Sequence, residues 1–211
     1  MAEYNSDEER FAAVINFFKD YKIIILSTLA MALISLISVI SFQSYMETRN
    51  SEAAIIYDSW LTALESNNGG AKEMFDELQD TFSGTGYAKL AMMVNGSNFA
   101  RQGNLAEALE NFRQLSDDTS GYFGNDVLNS VAKINIARIE LSNKNFTNVL
   151  EVLDSFGSNK EHSMVYEIKG DALLGLKKEE LAKEQYELAI ENARDESQKS
   201  ILNIKINSIE L

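Results

Sequence analysis

A long uncharged segment near the N-terminus, residues 23–42, constrains this chain more than any other feature of its sequence. A helix of about 20 residues, rising about 1.5 Å per residue, spans the roughly 30 Å hydrocarbon core of a bilayer. A cleavable signal peptide is the alternative, but its apolar stretch is typically about 7–15 residues and ends in a small-residue cleavage site. The sequence at the end of this segment, SFQSYMETR, is a poor site of that kind. We therefore expect an uncleaved signal anchor in a lipid bilayer.

The basic residues around the anchor predict its orientation. Arg10, Lys19 and Lys22 precede it, whereas Arg49 is the one basic residue in the about 20 positions that follow it. Because Lys and Arg near a membrane segment favour the cytoplasmic side, the N-terminus is expected in the cytoplasm and the remainder of the chain on the opposite side. The predicted segments are a cytoplasmic amphipathic arm (1–22), a transmembrane anchor (23–42) and a translocated domain (43–211).

The arm carries apolar residues at helical spacing, namely Phe11, Val14, Ile15 and Phe18. This pattern predicts an amphipathic helix that lies on the membrane surface next to the anchor. A helix that binds a partner protein is the alternative interpretation.

The composition of the remaining chain favours an all-α fold. The chain has no proline, although a sequence of this length should contain about ten at average usage, and a proline inside a helix kinks or breaks it. It also has no cysteine, which excludes disulfides, thiolate metal sites and thiol nucleophiles. Apolar residues recur at helical spacing between turn signals, and they predict a string of antiparallel helical hairpins after the anchor.

One residue template occurs three times in this domain. A small residue is followed, at the same two intervals, by a small or β-branched residue and by a large apolar one. In each copy the small residue would let the first helix of a hairpin approach the second closely, and the large residue would fill the adjoining space. These roles resemble those in the tetratricopeptide repeat of about 34 residues, which predicts an α-solenoid. The template residues are Gly96, Ala108 and Phe112; Ala137, Val149 and Leu153; and Gly170, Ala182 and Tyr186.

The copies depart from the repeat consensus in three places, one of which is that the terminal proline of the consensus is missing from every copy. The interval between the first two copies is longer than the next, which predicts an insertion at residues 116–125. Lys144 occupies a turn position where glycine is usual. A degenerate helix pair is expected before Gly84, and a terminal helix is expected to cover the last hairpin through Ile201, Ile206 and Ile209.

Catalytic and cofactor-binding motifs are missing from the sequence. The formal net charge of -13 would repel a phosphate backbone, so nucleic acid is not an expected partner. His162 is the one histidine, and its position at a predicted helix start indicates a surface or capping residue. The acidic pairs at 117–118 and 179–180 lack the alternating spacing of a calcium loop and are interpreted as solvated helix faces. We expect no catalytic residue, no metal and no cofactor.

A binding surface is what remains, because a curved stack of hairpins presents a concave groove for segments of other proteins. The negative charge of the domain either favours cationic or unfolded partners or serves solubility alone. If the repeat alignment holds, the groove is lined by Met93, Ser97, Arg101, Ile134, Arg138, Glu167 and Asp171.

The full layout resembles the bacterial YfgM family. The resemblance rests on the arm ERFAAVINFFKDYK before the anchor, on the hairpins NLAEALENFRQL and EELAKEQYELAI, and on Lys205-Ile206-Asn207 near the end. It implies a non-catalytic ancillary subunit of the SecYEG translocon in the bacterial inner membrane, with the helical domain in the periplasm. It also implies association with a periplasmic chaperone of PpiD type and assistance to unfolded or secreted client proteins.

Two other interpretations stay open at this point. An anchored repeat scaffold in outer-membrane assembly, cell division or cytochrome maturation would share the fold and differ in its partner. An enzyme built from carboxylates alone would require a deep cleft with at least two convergent, unpaired Asp or Glu side chains.

Overall fold

The predicted all-α architecture is confirmed. The computed structural model describes residues 7–66, 69–122, 124–156 and 162–209, and within these ranges it contains nine helices and no strand. The helices are α1 Asp7–Glu65, α2 Ala71–Phe82, α3 Gly86–Gln102, α4 Leu105–Asp118, α5 Asp126–Ser142, α6 Phe146–Asp154, α7 Ser163–Gly175, α8 Glu179–Asn192 and α9 Glu196–Ile209.

The chain divides into two compact units, Met1–Ile55 and Ile56–Leu211. The first unit consists of most of α1, which contains a stretch long and apolar enough to span a membrane. Within this stretch the hydroxyls of Ser27 and Thr28 donate to the Ile24 carbonyl oxygen, at 2.9 and 2.8 Å, so they need no water. Helix α1 continues from this apolar stretch to Glu65 without a break, because no proline or glycine interrupts it. The predicted segments 1–22, 23–42 and 43–211 stay predictions.

The second unit is a succession of helix pairs. Helices α3 and α4, α5 and α6, and α7 and α8 pack as consecutive hairpins, and α9 packs on α8. The first helices also contact one another, α3 with α5 and α5 with α7, which places them on the inner side of the stack. Before these pairs, Trp60 of α1 contacts Phe75 of α2, with ring centroids 5.8 Å apart.

Each of the three hairpins pairs a small residue on its first helix with a large one on its second. All nine template residues are buried. A Cβ atom added at Gly96 would lie 3.2 Å from Phe112, and one at Gly170 would lie 2.5 Å from Tyr186. The middle copy has Ala137 opposite the smaller Leu153, in one buried cluster. The size of the small residue therefore varies inversely with that of its large neighbour, as close packing requires.

The same left-handed turn ends the first helix of every hairpin. Gly103, Lys144 and Lys177 have φ of 82°, 61° and 59°. In each turn the next residue's N–H reaches back to a carbonyl in the last turn of the helix, for instance from Asn104 to Phe99 at 2.9 Å. This is the Schellman arrangement that glycine favours, since a Cβ atom is strained at positive φ. Lysine therefore carries local strain in the second and third copies.

Replacing either lysine by glycine is expected to stabilise the second unit. Lys144→Gly and Lys177→Gly should each raise the free energy of unfolding by about 0.5–1 kcal/mol, because the Cβ strain of the left-handed region is removed. Gly103→Ala is the matched control and should lower it by about 1 kcal/mol. Urea unfolding of the full chain in detergent, followed by the fluorescence of the single Trp60, measures all three. A destabilising lysine-to-glycine change would contradict this explanation.

The structure corrects two details of the predicted repeats. Leu202 is the buried residue of α9, with Ile206 and Ile209 packed around it, whereas Ile201 is 53% exposed and does not cover the last hairpin. The expected insertion begins later than residue 116, because α4 continues through Asp118. The connection ends at Asn125, whose side-chain oxygen accepts the N–H groups of the first turn of α5.

Candidate protein-binding surfaces

The first three residues predicted to line the inner groove lie on α3 and differ in accessibility. Met93 is half-buried and packs against the core. The Ser97 hydroxyl donates to the Met93 carbonyl oxygen at 2.7 Å, so it is committed to its own helix. Arg101 is exposed, and its guanidinium donates to the Asn98 side chain. Of these three side chains, Arg101 is the most accessible to a partner.

The next two predicted residues lie on α5, near the start of α7. Ile134 lines a shallow depression of about 430 Å³ together with His162 and Met164. Arg138 is exposed, and its Nη2 lies 3.1 Å from the Met164 sulfur. His162 is exposed at the N-cap of α7, and its side chain makes no capping hydrogen bond to that helix. This part of the inner face remains accessible and carries a mixture of apolar and basic groups.

The last two predicted residues, Glu167 and Asp171, are engaged by the C-terminal helix. Lys205 of α9 donates to Glu167 Oε1 at 2.8 Å and to Asp171 Oδ1 at 2.7 Å. The Tyr186 hydroxyl donates to the same Asp171 oxygen at 2.8 Å, and the Lys205 ammonium lies 5.5 Å from the Tyr186 ring centroid. The sequence does not predict this cluster, because Lys205 is distant along the chain. It closes one end of the predicted groove and ties α9 to α7.

The protonation of this cluster follows from its surroundings. Burial lowers the pKa of Lys205, but hydrogen bonds and charge from Asp171 and Glu167 outweigh burial and raise that pKa above its ordinary value. Burial, followed by the hydrogen bond to Asp171, raises the pKa of Tyr186 far above its ordinary value. The folded state therefore holds both protons more tightly than the unfolded state does.

Stability should consequently fall in alkaline solution. The pKa values of Lys205 and Tyr186 are both higher in the folded state than in the unfolded state. The two protonated groups therefore stabilise the fold fully at pH values below their unfolded-state pKa values of about 10. This stabilisation is lost as the pH rises through the folded-state pKa values. Thermal melts of the full chain from pH 8 to 11 should show a falling Tm, and the fall should be shallower in Tyr186→Phe. Tyr122→Phe, at a residue that is 96% exposed, is the control and should follow the parent chain. Identical slopes in all three proteins would contradict the assignment.

A larger cleft lies on the other side of α3. Its volume is about 650 Å³. Its lining residues on α3 are Asn95, Asn98, Phe99 and Gln102. At 100° per residue, this face of α3 lies about 150° around the helix axis from the face of the predicted groove residues. We call this the outer cleft, lined by Trp60, Leu64, Ala71, Lys72, Phe75, Asp76, Asn95, Asn98, Phe99, Gln102, Glu107, Glu110, Asn111 and Gln114.

The outer cleft was not predicted, although its pattern is visible in the sequence. Its α3 residues follow helical spacing and combine amides with an aromatic ring, but helical spacing is equally typical of a face that packs in the interior. Trp60 and Phe75 form the floor, and Asn95 Nδ2 donates to Asn111 Oδ1 at 3.2 Å across the two helices of the hairpin. The walls present hydrogen-bonding groups over an aromatic base.

Neither surface has the composition of a metal centre, although the outer cleft contains the two carboxylates of Glu107 and Glu110. Within the described ranges no three His, Asp or Glu side chains converge closely enough to hold a metal ion. An aromatic floor with amide and carboxylate walls, and an inner face with exposed arginines, are instead suited to binding polypeptides.

Comparison with known proteins agrees with the architecture described above. The sequence pattern of the tetratricopeptide repeat-like domain matches residues 16–211, which is nearly the whole chain. Comparison with curated proteins and with solved structures finds no significant match. The family match agrees with the three hairpins, their shared packing template and the common turn that ends each first helix. The all-helical fold of this family is typical of non-enzymatic protein-interaction scaffolds. The chain therefore belongs to the tetratricopeptide repeat-like domain family.

Proposed function

We propose that this chain is a membrane-anchored, protein-binding subunit associated with the SecYEG translocon. In this role it assists a periplasmic chaperone of PpiD type with newly translocated, unfolded or secreted proteins. The anchor lies in the bacterial inner membrane, with the N-terminus in the cytoplasm and the repeat domain in the periplasm. The observation that carries the proposal is the combination of an apolar N-terminal helix with a tetratricopeptide repeat-like stack in one chain.

Tethering accounts for how such a subunit acts without catalysis. An anchored scaffold diffuses in two dimensions beside the translocon exit, which raises its effective concentration near emerging chains. Weak binding then suffices, and a weakly held client is released readily to a chaperone. The accessible inner-face residues Arg101, Ile134 and Arg138 supply cationic and apolar contacts for such clients.

Purification of the full chain from its native membrane in mild detergent tests the partner. The expected result is recovery of translocon subunits and a periplasmic chaperone in the same native complex, above the level found with an unrelated single-anchor periplasmic protein. A complex that contains components of outer-membrane assembly, cell division or cytochrome maturation, and no translocon subunit, would replace this proposal with another scaffold role.

Protease added to spheroplasts tests the orientation. We expect digestion of the repeat domain and protection of the N-terminal arm, because the basic residues before the anchor favour the cytoplasm. Protection of the repeat domain in intact spheroplasts, with digestion after lysis, would reverse the compartment and remove the periplasmic partners from consideration.

A further inference from the structure

We propose that the outer cleft binds a short extended segment of polypeptide that carries a basic side chain flanked by apolar ones. The inference rests on the proposed protein-binding function only in that its ligand is a polypeptide. It requires neither the translocon nor the chaperone, and it uses a face of the domain opposite to the predicted groove.

The aromatic floor provides the apolar part of this recognition. Trp60 is 1% exposed and is held against Phe75, and Phe99 lines the same cleft from α3. Phe75 and Phe99 are half-buried, so these two rings provide the apolar surface, with little further loss of side-chain entropy. Buried Trp60 supports Phe75 and presents almost no surface of its own. A flanking aliphatic side chain would remove the surface of Phe75 and Phe99 from water, and aromatic rings also attract a cation positioned above their faces.

Side-chain amides on the walls match an extended backbone. Asn95, Asn98, Gln102, Asn111 and Gln114 all line the cleft, and an amide can both donate and accept hydrogen bonds. Part of this capacity is already used, because Asn95 donates to Asn111, Asn111 donates to the Glu107 carbonyl oxygen, and Asn98 accepts from Arg101. The side chains of Gln102 and Gln114 have no hydrogen-bond partner in the described part of the chain. An extended peptide presents unpaired N–H and C=O groups that such amides can pair, whereas the backbone groups of a helix are already paired internally.

The size of the cleft limits the length of the segment that it can hold. From Asn95 to Gln102 the wall is about 10 Å long, which corresponds to about three residues of extended chain.

The carboxylates determine the charge of the preferred ligand. Glu107 and Glu110 lie one turn apart on α4 and have no ion-pair partner among the described residues. The one basic residue in the lining, Lys72, is already paired with Asp76 at 2.5 Å. Two unpaired carboxylates beside an aromatic floor therefore favour a Lys or Arg side chain and repel an acidic one.

Trp60 is the single tryptophan of the chain and lies in the cleft, so its fluorescence reports directly on binding. The probe is a tryptophan-free nonapeptide of alternating leucine and arginine, titrated into the full chain in detergent micelles. The comparison peptide has glutamate in place of arginine. We expect saturable binding of the arginine peptide with a change in Trp60 emission, and no binding of the glutamate peptide.

A variant with both Glu107→Gln and Glu110→Gln should weaken binding of the arginine peptide by about tenfold or more, because it removes the two uncompensated charges. The matched control is Glu179→Gln with Glu180→Gln, which makes the same charge change at an exposed acidic pair at the start of α8. It should leave the affinity within about twofold, as expected for charges distant from the site.

Several results would overturn the inference: no Trp60 response, equal binding of the two peptides, or equal weakening by the two variant pairs. The last would show attraction to the overall negative charge instead of recognition in the cleft. Melting curves that match the parent chain establish that the variants are folded. Recovery of translocon subunits is a separate measurement, so failure of this inference is distinguishable from failure of the proposed function.

Discussion

Gly170→Ala is expected to lower the free energy of unfolding by about 2 kcal/mol, although alanine is the better helix former by about 1 kcal/mol. The added Cβ atom would lie 2.5 Å from Cε1 of Tyr186. That ring is fully buried and its hydroxyl is bonded to Asp171, so it has nowhere to move. Urea unfolding of the full chain, followed by Trp60 fluorescence, measures the change. An unchanged midpoint would mean that α7 and α8 separate at little cost.

Gly96→Ala is the matched control, because it makes the same change in the first hairpin. There the Cβ atom would lie 3.2 Å from Phe112, so the overlap is smaller and the gain in helix propensity offsets it. We expect a change within about 0.5 kcal/mol. Combining Gly170→Ala with Tyr186→Leu copies the Ala137 and Leu153 pair of the middle hairpin. The double variant should lose less free energy of unfolding than the sum of the losses in the two single variants, by at least about 1 kcal/mol, since the two residues are in contact.

Arg113→Ala is expected to destabilise the domain by about 2–3 kcal/mol, which is more than an arginine that is 58% exposed would ordinarily contribute. Its partner is the reason. Arg113 Nη2 donates to Glu140 Oε1 at 2.7 Å, and the Glu140 side chain is 2% exposed. The other carboxylate oxygen accepts a hydrogen bond from Asn145 at 2.8 Å. Removing the arginine leaves a buried carboxylate without its counter-charge, and that loss costs more than the contact itself provides.

A double-mutant cycle separates this effect from lost packing. Glu140→Gln removes the buried charge, so in the Arg113→Ala background it should restore about 1 kcal/mol or more. Exposed Lys144 on the neighbouring turn has no buried acidic partner among the described residues, and Lys144→Ala provides a comparison for removal of a basic side chain. If Glu140→Gln destabilised the Arg113→Ala chain further, the buried charge would not be the source of the penalty.

Several features of the fold were predictable because they depend on residues close together in the sequence. Helix boundaries follow from turn signals, which predict helices at about 86–102, 162–175 and 196–209, and α3, α7 and α9 begin and end within one residue of these limits. The template of small and large residues relates two helices joined by a short turn, so fixed intervals in the sequence correspond to fixed positions in space. Ile201 shows where this reasoning fails, since the rotation of α9 about its own axis places Leu202 inward and leaves Ile201 exposed.

The candidate surfaces were less predictable. Glu167 and Asp171 were expected to face a partner, but Lys205, more than 30 residues away, pairs with both. The outer cleft combines side chains from four helices, and no local pattern indicates which faces of those helices meet. Asn95 and Gln102 are at helical spacing in the sequence, yet that spacing is equally consistent with a buried face.

The sequence itself determined the apolar N-terminal helix, the helical hairpins, their small-to-large packing pairs and the turn at the end of each first helix. Each depends on composition or on intervals of a few residues, and backbone geometry converts such intervals directly into contacts. The tertiary structure alone decided that α9 closes one end of the inner face, that Arg113 neutralises Glu140, and that the outer cleft exists. These features depend on the angles at which separate helices pack, and those angles result from all of the side-chain volumes in the core acting together.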